Sequence, residues 1–279
     1  MRFEEKIGVL LVALAVLFHA FIKTLDAGSV FIAGNVLNVA FSFYAVYYTL
    51  AAFVASQYDK ENRRFWLFVH MGILAWFFGD VAWLVQEVLL HIPAPFPSVS
   101  DVFWVLGYPL LIFALVKWFG KFVLGETRLS QFNVIAGIGA SIISAILVFS
   151  APSIFTAGTT GLERTINLTY IAGDFLLFVV SLSIALILSE EATQFGYKQT
   201  RWYWMLLAFA FAARSIFDII FGYLVEKDLY QTGHQVDFLY YAGYLAIGLG
   251  AVYFLYSKTQ TAVWIPPKNR KQEKTGKRK

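Results

Sequence analysis

Acidic residues lie inside long apolar segments of this chain, where a charged side chain is costly. Asp80, Asp174 and Asp218 each occupy such a segment. A carboxylate placed in this way can bind a cation, carry a proton or join an ion pair, so each one is a candidate for a functional site. Arg214 is the only cation in the middle of an apolar segment, and it stands four residues before Asp218. That spacing allows a helix to pair the two side chains internally.

A pattern of aspartate, aromatic residues, glycine and tyrosine occurs twice. The first copy runs from Asp101 to Tyr108 and the second from Asp237 to Tyr244. Each copy opens an apolar segment and follows another segment that contains an aspartate, so the pattern predicts a duplicated unit. Asp101 and Asp237 both stand at a helix start, and a role as helix cap explains both without any ligand.

Four residues of one apolar run are spaced so that they lie on the same side of a helix. Trp76, Asp80, Trp83 and Glu87 share one face of a helix, which therefore carries two carboxylates and two indoles. Four acids, Asp80, Glu87, Asp174 and Asp218, outnumber Arg214 in a low-dielectric space. Either some of these carboxyl groups hold protons, or a cation binds among them and aromatic rings attract it. The predicted ligand-binding residues are Trp76, Asp80, Trp83, Glu87, Tyr108, Tyr170, Asp174, Arg214, Asp218 and Tyr244. A purely structural ion network around Arg214 remains an equal alternative.

The elements that position these residues are predicted to be membrane-spanning helices. Hydrophobic residues make up 59% of the chain and charged residues only 14%, and a span needs about 20 mostly apolar residues. Eight runs meet this requirement, so the predicted fold is an all-α integral membrane protein with eight transmembrane helices. The runs are Ile7–Ile22, Ser29–Ala55, Trp66–Leu90, Val102–Phe119, Asn133–Ala151, Ile166–Ser189, Trp202–Val225 and Val236–Tyr256.

Positive charge sets the expected orientation. If the N-terminus is cytoplasmic, 18 of the 22 Lys and Arg residues fall in cytoplasmic segments, which predicts that both termini are cytoplasmic. Residues 1–128 and 129–256 then form two parallel repeats of four helices. Residues 257–279 form a basic cytoplasmic tail, which we expect to be disordered and to lie near lipid headgroups or to dock a signalling protein.

Several activities are excluded or disfavoured by residue type. The chain has no cysteine, so disulfides and thiolate chemistry are excluded. No lysine lies in mid-span for a retinal Schiff base, and the Gly-x-Gly-Asp and Pro-Ala-Leu signatures of presenilin-like proteases are missing. We expect no catalytic residue, metal site, cofactor or nucleic-acid partner.

The chain resembles the multi-span membrane regions that precede bacterial diguanylate cyclase (GGDEF) and related output domains. The likeness rests on Gly79-Asp80 with Trp83, Pro97 to Phe103 leading to Gly107-Tyr108-Pro109-Leu110, Tyr170 to Asp174, and Asp218 followed by Tyr230 to Gly233 and Asp237. The resemblance implies a sensor module in the cell membrane of a prokaryote. Because only the basic tail follows Tyr256, we expect this module to signal through a separate protein.

The predicted function is therefore a non-enzymatic membrane sensor or receptor-like subunit. Its outward-facing acidic and aromatic cavity would bind a small cationic or amphipathic ligand. The alternative is a secondary transporter or ion-coupled carrier for a proton or small cation, since titratable carboxylates in mid-membrane suit that task as well. A third hypothesis is a lipid-binding or assembly scaffold, in which the charged residues inside the spans have only a structural role.

Overall fold

A computed structural model describes residues 16–92, 96–122, 160–195 and 198–263, together with the isolated positions 9 and 13. Within these ranges the chain is helical and contains no strand. The helices are α1 (Ala27–Ala55), α2 (Lys60–Leu84), α3 (Val99–Phe122), α4 (Gly161–Phe195), α5 (Lys198–Glu226) and α6 (Asp237–Val263), and a π-helical turn at Val85–Leu89 extends α2.

All six α-helices are long enough and apolar enough to cross a membrane, which gives the chain the character of a multi-pass membrane protein. They correspond to six of the eight predicted spans. Of the other two, the predicted span 7–22 is described continuously only from residue 16, where it is helical, and the predicted span 133–151 lies outside the described residues. Helix α6 continues past the predicted start of the tail at 257, and residues 264–279 also lie outside the described part.

Polar residues set the first turns of two helices. The Asp26 carboxylate accepts the Ser29 N–H at 3.0 Å and caps α1, and the hydrogen bonds from Ser29 hold the pKa of Asp26 below its usual value. Asp59 caps α2 in the same way. Helix α2 consequently begins at Lys60, before its predicted apolar run at Trp66, because its first turns are charged and hydropathy cannot register them.

The helices pack side by side in a ring. Each of α1 to α5 packs against the next helix in the chain, and α6 closes the ring against α1. Gly233, which precedes α6, lies so close to Gly34 that a Cβ on Gly34 would stand 2.7 Å from the Gly233 nitrogen. Likewise Tyr170 of α4 reaches Asp101 at the start of α3. Helices α1, α3, α4 and α6 therefore begin at one end of the ring, here called the upper end.

The opposite, lower end is filled by aromatic side chains. An ion pair of 3.0 Å between Lys258 and Asp59 joins the end of α6 to the start of α2 there. The aromatic layer next to it consists of Phe65, Trp66, Trp118, Tyr203, Trp204 and Phe254, whose neighbouring ring centroids lie 5.0–6.4 Å apart. Trp66 and Trp204 are fully buried. The layer closes the ring below the residues that were predicted to bind a ligand.

Candidate ligand-binding site

A cavity of about 300 Å³ lies inside the ring and reaches toward the upper end. Five of the ten predicted ligand-binding residues line it: Asp80, Trp83, Tyr170, Arg214 and Asp218. Asn38, Asp101, Glu163, Asn167, Tyr230 and Tyr240 add further polar groups, and the remaining wall is mostly aromatic and aliphatic. The structure thus brings residues from α1 to α6 and from the loop before α6 to one apolar space with a few polar groups, which is the usual make-up of a small-molecule site.

Asp80 forms the centre of one charged cluster. Its side chain is buried, and its Oδ1 accepts the Trp104 Nε1–H at 3.0 Å and the hydroxyl of Tyr240. Trp104 and Tyr240 each stand three residues after the aspartate that opens a copy of the repeated pattern. We call Asp80, Trp104 and Tyr240 the Asp80 cluster. Two donors on one carboxylate oxygen stabilise its ionised form.

Arg214 is held by aromatic rings. Its guanidinium carbon lies 4.1 Å from the ring centroid of Trp76, 4.6 Å from that of Tyr240 and 5.6 Å from that of Tyr244. Arg214 and Asp218 share a helix face as their spacing predicts, yet among the described residues Arg214 forms no ion pair with a carboxylate. Cation–π attraction thus replaces a salt bridge. The rings of Trp76 and Tyr244, predicted to receive a ligand cation, receive this internal one.

Asp174 and Asp218 form an acid pair around one hydroxyl. The Tyr108 hydroxyl lies 2.7 Å from Asp174 Oδ1 and 3.5 Å from Asp218 Oδ2. Tyr108 and Asp174 are buried behind the cavity wall, whereas Asp218 lines the cavity and is partly exposed. Two carboxylates so close together repel one another when both are charged, so this arrangement favours a bound proton or cation.

The aspartates that open the two copies of the pattern have matching surroundings. Asp101 accepts the Ser98 N–H at 2.6 Å and the Tyr170 hydroxyl at 2.5 Å. Asp237 accepts the Gly233 N–H at 2.7 Å and the Tyr230 hydroxyl at 3.1 Å. Both carboxylates therefore bind a backbone N–H upstream of themselves, as the acidic residue of a capping box does.

Tyrosine hydroxyls complete these two helix starts. Tyr230 lies in the loop before α6. Burial, followed by the nearby carboxylate of Asp237, raises the pKa of Tyr230 well above its usual value. Its hydroxyl therefore remains protonated and able to donate a hydrogen bond at any physiological pH.

Glu87 lies apart from the cavity. It is buried, and its Oε2 accepts the Asn35 Nδ2–H at 2.8 Å and the Thr232 hydroxyl at 2.6 Å. Trp83 Nε1 lies 3.3 Å from the same Thr232 hydroxyl. The predicted stripe on α2 thus divides: Asp80 and Trp83 line the cavity, Trp76 supports it through Arg214, and Glu87 ties the loop before α6 to α1.

Most of the other residues that line the cavity were not predicted from the sequence, and Tyr240 and Asn38 are two examples. Tyr240 donates to Asp80 and packs on Arg214, and Asn38 contributes an amide to the wall. The signal for Tyr240 was its place in the second copy of the pattern, which matches the place of Trp104 in the first. No comparable signal marks Asn38.

Chemically, this arrangement can bind a small molecule through Asp218 and through ring faces, and it can hold a proton between Asp174 and Asp218. Across the described ranges, no group of three His, Cys, Asp or Glu side chains has a geometry that could hold a metal ion. Comparison of the chain with protein-family models, with curated proteins and with solved structures finds no match. The geometry of the cavity is therefore the basis on which a function can be inferred.

Proposed function

We propose that this chain is a non-enzymatic membrane receptor or sensor subunit that binds a small cationic or amphipathic ligand in the cavity. The observation that carries the proposal is the environment of Asp218. It lines the cavity, and the hydrogen bond that it receives from the Tyr108 hydroxyl spans 3.5 Å, against about 2.7–2.8 Å for a typical O–H···O bond. A carboxylate with so weak a donor gains most from an arriving cation.

The surrounding rings suit the same ligand. Trp83, Trp104 and Phe221 line the same cavity as Asp218. Their faces attract a cation and also bury an apolar body, so a ligand with both features gains from both. This is the chemistry of an amine with a hydrophobic substituent.

The lower end of the ring favours a receptor over a channel. The aromatic layer there is densely packed, and Trp66 and Trp204 are fully buried within it. A ligand that enters from the upper end therefore meets a floor. Binding without passage is what a sensor requires.

A signal would follow from a change in helix packing. Asp218 and Arg214 are one turn apart on α5, and Arg214 packs on Trp76 of α2 and on Tyr240 of α6. A ligand at Asp218 that changes the position of Arg214 would shift α2 and α6 against α5. The ligand shifts the receptor only to the extent that it binds one packing more tightly than the other.

We also propose the finer architecture of eight spans in two parallel repeats, with both termini cytoplasmic. Exchanging α1, α2 and α3 for α4, α5 and α6 leaves the order of contacts around the ring unchanged, as a two-fold axis along the membrane normal requires. Helix α3 ends at the lower end and α4 begins at the upper end. A span at 133–151 would join them. The prokaryotic cell membrane is proposed from the resemblance alone.

Binding of an amine tests the proposal directly. Phenethylamine should quench or shift the tryptophan fluorescence of the protein in nanodiscs, because Trp83 and Trp104 line the cavity. Asp218→Asn should weaken binding about 10-fold or more, since a charged contact contributes about 1.5–3 kcal/mol. Asp228→Asn, which changes an exposed acid that does not line this cavity, is the matched control. Equal affinity in all three proteins would refute Asp218 as the ligand's partner.

Signalling through a partner needs a separate test. In-membrane crosslinking followed by mass spectrometry should recover a cytoplasmic signalling protein with the full chain and not with a chain that ends at Val263. This end point preserves α6 and the ion pair between Lys258 and Asp59. Recovery of the same protein from both forms would show that the basic tail is not the docking segment.

A carrier is the second candidate, and the acid pair favours it. Two carboxylates that share the Tyr108 hydroxyl can hold and release a proton during transport. Amine-dependent proton flux into liposomes, abolished by Asp174→Asn, would establish the carrier. Absence of flux in liposomes that bind the amine would leave the receptor.

A further inference from the structure

We infer that the ligand is a zwitterion of about amino-acid size, with its cationic group on Asp218 and its acidic group on Arg214. The inference rests on the proposed function and adds the second half of the ligand. It starts from Arg214, which is buried and lines the cavity.

The guanidinium group has hydrogen bonds left to make. Ring faces of Trp76, Tyr240 and Tyr244 cover it, but its Nε and Nη1 have no hydrogen-bond partner among the described residues. Ring faces satisfy the charge of a guanidinium and not the directed N–H groups in its plane. Because an unpaired buried donor is costly, the site favours a ligand that brings an acceptor.

Acceptors of the protein face the same space. Asn38 Oδ1 is buried without a hydrogen-bond partner, and Asn38 lines the cavity. Asp218 lines it too, and the hydrogen bond that it receives from Tyr108 is long, at 3.5 Å. The wall thus offers an unpaired cation at one point and weakly paired acceptors at others. An ammonium group complements the acceptors and a carboxylate complements Arg214.

Spacing and volume limit the ligand further. Asp218 and Arg214 are four residues apart on α5, which is about 6 Å along the helix axis, with Asp218 nearer the upper end. This spacing suits a ligand whose ammonium and acidic groups are separated by one to a few bonds. The acidic group would enter the cavity first, because Arg214 lies deeper than Asp218. A cavity of about 300 Å³ is at the small end of ligand pockets, which run from about 300 to 1,000 Å³. It fits a single amino acid with an apolar side chain and not a peptide.

Net charge argues against a purely anionic ligand. The carboxylates of Asp80, Asp101, Glu163 and Asp218 line the cavity against the single cation Arg214. An isolated acid would be repelled from such a wall. Attachment to an ammonium group removes the net charge of the ligand and directs its acid toward Arg214.

Matched ligands test the inference on the unmodified protein. The probes are L-phenylalanine, phenethylamine, which lacks the carboxylate, and 3-phenylpropionate, which lacks the ammonium, with L-leucine and isopentylamine as an aliphatic pair. Tryptophan fluorescence in nanodiscs measures each affinity. Each amino acid should bind about 10- to 100-fold more tightly than its amine, since a charge-assisted hydrogen bond contributes about 1.5–3 kcal/mol. The acid alone should bind most weakly.

Variants then locate the acid contact. Arg214→Gln should bring the ratio of amino-acid to amine affinity close to one, and Arg214→Lys, which keeps the charge and loses the planar group, should give an intermediate ratio. Asp218→Asn should weaken both ligands together. The ligand pairs on the unmodified protein decide the matter even if an Arg214 variant does not fold.

The outcomes separate the two proposals. Amines that bind as tightly as the amino acids overturn the zwitterion and leave the receptor for cations. An acid that binds as tightly as the amino acid overturns the zwitterion as well, because the ammonium is then not recognised. If no probe binds, both proposals fail.

Discussion

The Asp80 cluster and the acid pair place carboxylates of the helix ring in opposite electrostatic settings. Asp80 receives two hydrogen bonds, from Trp104 and Tyr240. The positive charge of Arg214 acts both on Asp80 and on the acid pair. Asp174 and Asp218 have one hydroxyl between them. The fold thus gives Oδ1 of Asp80 two donors, while the acid pair shares one donor and gains more from a proton or a ligand.

The difference separates structural from responsive charge. A carboxylate that accepts hydrogen bonds from two helices fixes the packing of the helices that supply its donors. A carboxylate that lacks donors stores an unfavourable energy, which a ligand can relieve by binding. The two sites share the same acidic residue type. Neighbours from other helices, and not the aspartates themselves, determine what each site does.

Removal of the shared cation should have the largest effect on stability. Arg214→Met leaves Asp80 without its nearby positive charge and empties the ring faces of Trp76 and Tyr244. Loss of a buried charge partner costs about 3–5 kcal/mol, and thermal unfolding in nanodiscs measures it. Arg214→Lys keeps the charge and should lose less. If Arg214→Met changed the unfolding free energy by less than about 1 kcal/mol, the packing of Asp80 and of the aromatic rings would not depend on the charge of Arg214.

Neutralising one aspartate in each site should give unequal results. Asp80→Asn weakens two charge-assisted hydrogen bonds and should cost about 1.5–3 kcal/mol of unfolding free energy. Asp174→Asn removes one of two repelling carboxylates and should stay within about 1 kcal/mol of the natural chain, or stabilise it. Equal losses in the same unfolding assay would contradict the distinction between a carboxylate with two donors and a pair of carboxylates that shares one.

Crowding the acid pair should destabilise the protein. A Cβ on Gly173 would stand 2.7 Å from Cγ of the Tyr108 ring, so Gly173→Ala pushes that hydroxyl away from Asp174. Overpacking of this kind costs about 1–3 kcal/mol. Gly222 lines the cavity with nothing within 4 Å of its missing Cβ. Gly222→Ala should therefore stabilise α5 by up to about 1 kcal/mol, and a loss there would mean that the helix needs the glycine for another reason.

The exposed ion pair at the lower end should have the smallest effect. Partial burial alone would raise the pKa of Asp59, but hydrogen bonds from Asn62 and Lys258 outweigh it and hold that pKa below its usual value. A lowered carboxylate pKa gives stability that is present above the unfolded value, about 3.9 for aspartate, and is lost as pH falls through the folded value.

Lys258→Gln should accordingly cost less than about 1 kcal/mol at neutral pH, because the pair is about one-third exposed. The cost should fade as pH drops below the ordinary aspartate value of about 3.9. Lys117→Gln, at an exposed lysine near the end of α3, is the control. A cost for Lys258→Gln that does not depend on pH would assign the effect to packing on Phe254.

Sequence patterns predicted the elements better than the contacts. Apolar runs predicted all six described spans, because a helix that crosses a membrane needs about 20 mostly apolar residues. Helical periodicity put Asp80 and Trp83 on one face of α2 and Arg214 and Asp218 on one face of α5. In the structure these four residues line the cavity. The partner of Arg214 did not follow, because spacing along one helix suggested Asp218 while the rings that hold it come from α2 and α6. Such pairings depend on how helices meet, which local sequence does not encode.

Two hydrogen bonds cross between the proposed halves of the chain, residues 1–128 and 129–256. Tyr108 donates to Asp174, while Tyr240 donates to Asp80, so each part of the chain supplies the donor for a carboxylate on the other. Neither part could lose its tyrosine or exchange it for that of a distant relative without harming its companion. The two parts are therefore expected to change in step. If they are produced as separate polypeptides, each should depend on the other for its accumulation in the membrane.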